Sequence, residues 1–242
     1  MTTDLFAVHH GIIPACDVPG LDELDRLVAD TCELPFISGY KVGIQLALGH
    51  GIRAVVAVVR KRTALPIVYD HQKFGTDIPE IIKQALGVLA GAGVQGVIVF
   101  PQAGPETLAA AVEGCFEEEL TPLVGGDMTH RAYLAEDGGY ITDDAPRRIY
   151  TAAASLGVRH FVVPGTRLAA ASRYRAVLAG LVGDPVFVFP GIGRGQGGDI
   201  VAAFQSVSPS AAHAVVGRGI YAEPAAGEAA RRLWSSVQAD LL

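Results

Sequence analysis

The feature that most constrains the fold is a series of short β-branched segments that recur at nearly constant distances along the chain. They begin near residues 11, 37, 66, 95, 121, 159, 185 and 213, so successive starts lie 26, 29, 29, 26, 38, 26 and 28 residues apart. A strand, its helix and their connections need about 30 residues. The spacing therefore predicts eight βα units, and we expect them to close into a single (β/α)8 TIM barrel that occupies residues 1–242 as one α/β domain.

The segments and the stretches between them have the compositions that this fold requires. Residues 96–100 (GVIVF) and 186–189 (VFVF) are continuous apolar runs, typical of parallel strands that are buried on both faces. Between the runs, apolar residues recur with helical spacing and predict one buried face each: Leu21, Leu24, Leu27 and Val28, and then Ile81, Ile82, Ala85, Leu86 and Leu89. Four prolines are placed as in first helical turns: Pro79, Pro105, Pro146 and Pro224.

The longest step separates the fifth and sixth predicted strands. Residues 129–147 are polar and contain Gly138-Gly139 and Asp143-Asp144. A loop of this length in a compact domain usually covers or contacts a substrate. We therefore predict a polar functional loop after strand 5.

Composition excludes several classes of protein. The net charge is −6 and no block of lysine or arginine occurs, so we expect neither nucleic acid nor a membrane surface as a partner. The three cysteines are widely spaced and form no CxxC motif, which argues against disulfides and a zinc site and favours a reducing cytoplasm. We find no signal-peptide pattern at the N-terminus and no uninterrupted apolar run of 18 residues.

Charged residues follow the predicted strands, where barrels place their active sites. Asp17 follows the first strand, Lys41 lies in the second, and the segment after the third (YDHQKFGTDIP) holds Asp70, Lys73 and Asp77. A lysine between carboxylates stays protonated and can donate a proton in a dry pocket. The residues alone leave other roles open: Asp77 could cap the next helix, Asp70 and Lys73 could form a surface ion pair, and the segment starting at Asp17 (DVPG) could begin a helix.

The loops after the seventh and eighth strands predict a phosphate site. Residues 190–199 (PGIGRGQGGD) are glycine-rich, a helix is expected to start near Asp199, and Arg218 lies between two glycines. Such loops let backbone amides approach an anion, and arginine binds phosphate oxygens in a bidentate manner. The alternative is that the glycines only serve tight turns. The GxGxxG pattern in this loop is not a dinucleotide fingerprint, because it lies late in the chain and no acidic residue follows at the required distance.

Taken in order, these segments resemble the orotidine 5′-monophosphate decarboxylase family. The resemblance spans nearly the whole chain and rests on Asp17, YKVG around Lys41, DHQK…TDIP, DMTH, PGTR, PGIG…QGGD and VGRGIY. It implies decarboxylation of orotidine 5′-monophosphate to UMP and CO₂ in pyrimidine biosynthesis, with no metal or organic cofactor. It also implies a homodimer.

The resemblance implies a role for each matching residue. Lys73 matches the lysine that protonates C6, and Asp70 matches the carboxylate near the substrate carboxylate. Asp17 and Lys41 match the groups that hold the ribose hydroxyls and complete the charged network. Asp77 matches the aspartate that reaches the neighbouring subunit's ribose. The residues expected to contact the pyrimidine or the phosphate are Thr129, Gln196, Gly197, Gly217 and Arg218, with Gly219 as a possible helper.

One motif departs from the family pattern. The usual spacing is Asp-x-Lys-x-x-Asp, whereas here it is Asp70-x-x-Lys73-x-x-x-Asp77, with one residue added on each side of the lysine. In a strand, one added residue reverses the direction of a side chain, so a bulge or a different turn is needed to restore the geometry.

Two other functions are compatible with the sequence. One is a related sugar-phosphate barrel enzyme, such as a hexulose-phosphate synthase, a 3-keto-gulonate-phosphate decarboxylase or an epimerase. The other is a nucleotide-binding protein without activity, in which the altered spacing has dismantled the catalytic network. Turnover, chelator sensitivity and ligand titration distinguish them.

Overall fold

The computed structural model describes residues 4–70, 75–193 and 197–241. Its eight strands form one parallel sheet, with the bounds β1 His10–Pro14, β2 Tyr40–Gly43, β3 Ile67–Asp70, β4 Gly96–Val99, β5 Thr121–Gly125, β6 His160–Val162, β7 Val186–Phe189 and β8 Ala211–Val216. Seven neighbouring pairs make regular parallel ladders, including β1 with β8. The eight predicted strands are therefore confirmed.

The remaining seam, between β1 and β2, closes the sheet into a barrel through fewer contacts. Ile12 pairs with Ile37 and Ala15 pairs with Lys41, each as an isolated parallel bridge. The amide of Cys16 donates to the carbonyl of Lys41 at 2.8 Å. The fold is a (β/α)8 TIM barrel, as the spacing predicts.

Helices follow the strands and pack around the barrel. Their bounds are α1 Leu21–Thr31, α2 Ile44–His50, α3 Ile52–Arg60, α4 Pro79–Ala90, α5 Pro105–Glu117, α6 Ala145–Ser155, α7 Leu168–Leu178, α8 Ile200–Val207, α9 Arg218–Tyr221 and α10 Ala226–Leu241. None of the helices in the described part of the chain combines the length and the apolar character needed to span a bilayer.

Strand alternation divides the apolar side chains between two cores. One core fills the barrel and includes Ile13, Val68 and Val188, whereas the other lies between strands and helices and includes Val42 and Phe187. Because successive residues of a strand face opposite sides, the residues that continue the inward series at the strand ends also face the interior. This rule decides which polar side chains enter the site.

Several local predictions were wrong. Strand β2 begins at Tyr40, three residues after the start expected at Ile37, because Ile37 forms only an isolated bridge. Ile81 does not share the buried face of α4 and is 44 % exposed, while Ile82, Leu86 and Leu89 are buried as predicted. Pro224 precedes α10 instead of lying in its first turn.

The loop after β5 contains regular structure. It contains a short 3-10 helix at Ala135–Asp137 and an isolated bridge between Leu134 and Ile141. It ends at α6, which begins at Ala145, earlier than the predicted limit of Arg147. An ion pair between Asp137 and Arg167 ties it to the loop after β6.

Candidate active site

Three of the predicted charged residues meet at the carboxyl end of the barrel. In β2, the outward residues Tyr40 and Val42 pack in the outer core, so Lys41 faces the interior. In β3, Val68 faces the interior and Asp70 continues its series. The parallel register pairs Gly43 with Asp70 and brings the segment after β1 beside Lys41, which places Asp17 next to both.

Lys41 bridges the two carboxylates. Its Nζ lies 3.1 Å from Oδ1 of Asp17, 3.3 Å from Oδ2 of Asp17 and 3.2 Å from Oδ2 of Asp70. The lysine side chain is only 10 % exposed, that of Asp70 is 14 % exposed, and that of Asp17 is 42 % exposed. The ammonium group is thus enclosed while one of its partners still reaches solvent.

Charge balance explains how Lys41 remains a buried cation. Burial alone lowers the pKa of Lys41, but the charges and hydrogen bonds of Asp70 and Asp17 outweigh it, and the net effect raises the pKa. Among the described residues, Lys41 is the one cation that forms an ion pair with these two carboxylates. Oδ1 of Asp70 is also buried and has no hydrogen-bond partner within the described ranges. The cluster is therefore complementary to a second cation.

Gly43 makes room for this cluster. A Cβ atom on Gly43 would lie 3.0 Å from Oδ1 of Asp17 and 3.8 Å from Nζ of Lys41. Any side chain would therefore crowd the carboxylate that binds the lysine. The glycine of the YKVG segment thus has a steric role in this site.

Lys73, the lysine predicted in the third loop, lies outside the described residues. Asp77 is described and exposed; its Oδ1 accepts a hydrogen bond from the amide of Ile78 at 2.8 Å. Its carbonyl accepts one from Oγ1 of Thr107 at 3.1 Å. The structure does not bring Asp77 into contact with Lys41.

The structural alternatives left open for two of the aspartates have different outcomes. The DVPG segment does lead into helix α1, whose N-cap is Gly20, while the side chain of Asp17 binds Lys41. Helix α4 begins at Pro79 after Ile78 and has no side-chain cap, so the capping box expected from Asp77 is absent.

The loop after β7 forms a compact glycine turn. Gly191, Gly193 and Gly197 have positive φ angles of 90°, 100° and 88°, a region that favours glycine. Two backbone hydrogen bonds close this turn: the amide of Gly193 donates to the carbonyl of Gly198, and the amide of Gly198 donates to the carbonyl of Gly191, both at 3.0 Å. The glycines thus do form a tight turn, which was the alternative left open for this loop, and phosphate binding stays a prediction. Gln196 lies outside the described residues.

Two parts of the predicted phosphate site, the N-terminus of helix α8 and the side chain of Arg218, differ in whether the protein's own groups bind them. Helix α8 begins at Ile200, as expected, but Oδ1 of its N-cap Asp199 accepts a hydrogen bond from the amide of Ala202 at 2.8 Å. The Asp199 carboxylate therefore binds one of the free amides at the N-terminus of α8. Arg218 is exposed at the start of α9, directly after Gly217, and forms no ion pair with any residue the structure describes.

The loops of the carboxyl end lie against one another. A Cβ atom on Gly191 would lie 2.9 Å from Cγ2 of Thr129, so the loop after β7 contacts the loop after β5. A Cβ atom on Gly217 would lie 3.8 Å from Cβ of Ala15, so the loop after β8 lies beside the strand that leads to Asp17. Thr129, Gly217 and Asp17 thus surround one mouth.

Sequence reasoning placed Asp127 of the DMTH segment after the fifth strand but gave this buried carboxylate no role. Asp127 is 2 % exposed and accepts hydrogen bonds from the amide of Met128 at 2.8 Å and from the hydroxyl of Tyr174 at 3.1 Å. Burial raises the pKa of Asp127, and Arg167 opposes that effect. Asp127 directly follows β5, but its tyrosine partner on α7 has no sequence signal because only the packing brings them together.

Metal binding has no visible candidate in the described part of the chain. Across residues 4–70, 75–193 and 197–241, no group of three or more histidine, cysteine, aspartate or glutamate residues is arranged to hold an ion. Cys16 is fully buried beside Asp17, and burial raises the pKa of its thiol to about 12, which fits a packing residue better than a nucleophile.

Fold and site together define a (β/α)8 barrel protein with a buried lysine–carboxylate cluster at the carboxyl ends of its strands. Residues 11–233 match the model of the "Orotidine 5'-phosphate decarboxylase / HUMPS family". The chain belongs to this family. The resemblance noted in the sequence is thereby confirmed.

Individual relatives agree with this assignment. The chain is 27 % identical over 234 residues to an orotidine 5′-phosphate decarboxylase of Methanosarcina acetivorans, covering 95 % of this chain and 96 % of the relative. It is 29 % identical over 227 residues to one of Pyrococcus furiosus, covering 94 % and 97 %. The barrel fold agrees with that of a solved orotidine 5′-monophosphate decarboxylase from Methanocaldococcus jannaschii, complexed with the inhibitor BMP, with a TM-score of 0.78 at 20 % identity, covering 92 % of this chain and 95 % of that one.

Proposed function

We propose that this protein decarboxylates orotidine 5′-monophosphate to UMP and CO₂ in pyrimidine nucleotide biosynthesis, without a metal or an organic cofactor. The observation that carries the proposal is the Asp17–Lys41–Asp70 cluster at the mouth of the barrel, in which Oδ1 of Asp70 is buried and has no partner among the described residues. The family and the names of the relatives supply the substrate.

The chemistry needs a fixed positive charge. Loss of CO₂ breaks the bond between C6 and the carboxylate carbon, and the electron pair stays on C6 as a vinyl carbanion that no carbonyl delocalises well. We assign the ammonium of Lys73 as the group that stabilises this charge and transfers its proton to C6. The lysine is then neutral and regains a proton from solvent.

Among the described residues, the support for this assignment comes from Asp70. Asp70 is held by Lys41 through Oδ2, which leaves Oδ1 buried and without a partner among the described residues. A second ammonium group from Lys73, three positions later in the chain, would neutralise the remaining charge. Asp70 would then lie near the substrate carboxylate, and Asp17 and Lys41 would bind the ribose hydroxyls.

Phosphate binding is assigned to the other side of the mouth. Arg218 is exposed and without an ion pair in the described part of the chain, and Gly217 directly precedes it. We assign Gly197 to the same phosphate, since a Cβ atom there would meet no atom within 4 Å and the backbone is open to a ligand. Gln196 and Thr129 complete the proposed contacts with phosphate and pyrimidine. Because the phosphate is remote from C6, its binding energy can position the substrate without taking part in bond breaking.

We further propose a homodimer in which Asp77 reaches the neighbouring ribose. Asp77 is exposed and lies beside Ile78 and Ile81, which are 58 % and 44 % exposed, and Val88 of α4 is 55 % exposed. Apolar side chains exposed together on one helix are often covered by a partner. A second copy of the chain on this face would place Asp77 in the interface.

An absorbance assay tests the activity. Wild-type protein is expected to consume the chromophore of orotidine 5′-monophosphate at the same rate with and without EDTA, while Lys73→Ala abolishes turnover and keeps its circular dichroism spectrum. Full activity of Lys73→Ala would refute the lysine mechanism. Inhibition by EDTA would favour the metal-dependent sugar-phosphate branch instead.

Mixing two inactive variants tests the shared site. After subunit exchange between Lys73→Ala and Asp77→Asn, each mixed dimer would contain one site with both native residues. We expect about a quarter of the wild-type activity, since half of the dimers are mixed and half of their sites are intact. No recovery despite proven exchange would show that Asp77 does not act across an interface.

A further inference from the structure

A second cationic region lies beside the proposed active site. It is an open cleft of about 800 Å³ between the loop after β5 and the start of α7, here called the β5–β6 cleft. The charged residues that line it are Arg131, Asp137, Arg167 and Arg173. Neither Arg218 nor the Asp17–Lys41–Asp70 cluster lines it.

The arginines of the β5–β6 cleft are only partly neutralised. Arg167 forms an ion pair with Asp137. Arg131 and Arg173 are exposed and have neither an ion pair nor a side-chain hydrogen bond within the described residues. In a protein with a net charge of −6, these two guanidinium groups, one from the loop after β5 and one from α7, line one cleft and create a local attraction for anions.

The backbone adds to this attraction. Leu168, Ala169 and Ala170 form the first turn of α7 and line the cleft. That turn contains no acidic residue, and no side chain caps it. The amide of Ala170 donates to the carbonyl of Arg167, whereas the amides of Leu168 and Ala169 contribute partial positive charge to a space that already contains the arginines.

The cleft also communicates with the proposed substrate mouth. Thr129 and Thr166 line its edge, and a Cβ atom on Gly191 would lie 2.9 Å from Cγ2 of Thr129 and 3.5 Å from Cγ2 of Thr166. An occupant of the cleft would lie beside the loop after β7, but on the side of β5 and β6.

We propose that the β5–β6 cleft is a second anion site, which binds a diphosphate group through Arg131 and Arg173. Two guanidinium groups from different segments that line one cleft suit a diphosphate better than a single phosphate, because each phosphoryl unit can bind one arginine. Inorganic pyrophosphate and the polyphosphate chain of a nucleotide share this chemistry. The proposal does not depend on the decarboxylase activity.

Calorimetric titration with inorganic pyrophosphate at constant ionic strength tests it. We expect wild-type protein to bind, and the double variant Arg131→Ala/Arg173→Ala to bind at least about 30-fold more weakly, because two charge-assisted contacts are lost. The matched control is Arg147→Ala/Arg231→Ala, which removes two exposed arginines outside the cleft that form no ion pair with described residues. Its affinity should change by less than about twofold.

A third variant locates the anion. Arg218→Ala should keep its affinity for pyrophosphate, since Arg218 belongs to the predicted substrate phosphate site. If Arg218→Ala loses binding while the double variant retains it, the anion occupies that site and the proposal is overturned. Absence of binding to wild-type protein, or an equal loss in the matched control, would overturn it as well.

Folding and ligand source are controlled separately. Single variants Arg131→Gln and Arg173→Gln, each with an unchanged thermal midpoint, should each weaken binding by about tenfold, which a folding defect would not explain. Titration with a nucleoside triphosphate then identifies the source. Affinity equal to that of pyrophosphate indicates that the diphosphate alone is bound, and tighter binding indicates a nucleotide; both support the site.

Discussion

At the carboxyl end of the barrel, Lys41 is buried as a cation between two carboxylates, whereas at the amino end His160 and His213 are buried without an ion pair in the described structure. His160 is the first residue of β6, and His213 lies inside β8, with its Nδ1 3.1 Å from Oγ of Ser38. Phe6 packs against both imidazole rings, with centroid distances of 5.9 Å and 4.3 Å.

The pKa values of the buried groups at the two ends are therefore shifted in opposite directions. The pKa of Lys41 is raised, so its contribution to stability is complete at neutral pH and is lost only as the pH rises through its folded-state pKa. Burial lowers the pKa of His160 to about 4, and the neighbouring Arg159 adds to the effect while Asp4 opposes it. At the carboxyl end, Lys41 is a buried cation at neutral pH. At the amino end, the buried imidazoles stabilise the fold only while they are neutral.

Removal of the buried cation should have the largest effect. In Lys41→Met, Asp17 and Asp70 face each other without the ammonium that orients them, and we expect kcat/KM to fall by about 10³-fold or more. Steady-state kinetics with orotidine 5′-monophosphate measures the loss. Lys61→Met, which removes an exposed lysine, should be indistinguishable from wild type. Activity of Lys41→Met within tenfold of wild type would contradict a role for the cluster.

The sequence could predict the barrel and the gathering of Asp17, Lys41 and Asp70, because strand spacing and the position of polar residues after apolar runs are local signals. It could not predict that one lysine binds both carboxylates, since that depends on the register between strands distant in the chain. The approach of His160 to His213 is hidden for the same reason. The exposure of Ile81 depends on what covers α4, which periodicity does not report.

Acid should destabilise the amino end next. Below the ordinary histidine pKa of 6.5, His160 is protonated in the unfolded chain, whereas in the folded protein it stays neutral down to about pH 4. His160 alone would cost on the order of 3 kcal/mol across this window, and the pKa of His213, lowered by burial and by the other histidines His160, His10 and His9, adds in the same direction. Urea denaturation from pH 7.5 to pH 4.5 measures the decline.

A substitution separates this effect from general acid denaturation. His160→Gln should reduce the slope of stability against pH between 6.5 and 4.5, while His50→Gln, at an exposed histidine, should leave it unchanged. An identical slope in wild type and His160→Gln would show that the buried imidazole is not responsible.

Crowding the carboxyl end without removing a charge should have a smaller effect. In Gly43→Ala, the new Cβ would lie 3.0 Å from Oδ1 of Asp17, so the carboxylate must shift relative to Lys41. We expect kcat/KM to fall by about tenfold with little loss of stability. Gly49→Ala is the control, because a Cβ at that helical glycine meets no atom within 4 Å and should stabilise α2 slightly. Equal activities of the two variants would argue against a steric role for Gly43.

The smallest effect should come from the glycine turn after β7, where the constraint is backbone conformation alone. Gly197 has a φ angle of 88°, and a Cβ at this position would meet no atom within 4 Å. Gly197→Ala should therefore cost only the strain of a left-handed residue, about 1 kcal/mol in the free energy of unfolding. Gly183→Ala, at a glycine with equally open space but no positive φ, should cost nothing. If both alanine variants are as stable as wild type, the turn tolerates a side chain and Gly197 matters only through its closeness to a bound phosphate, which a raised KM would reveal.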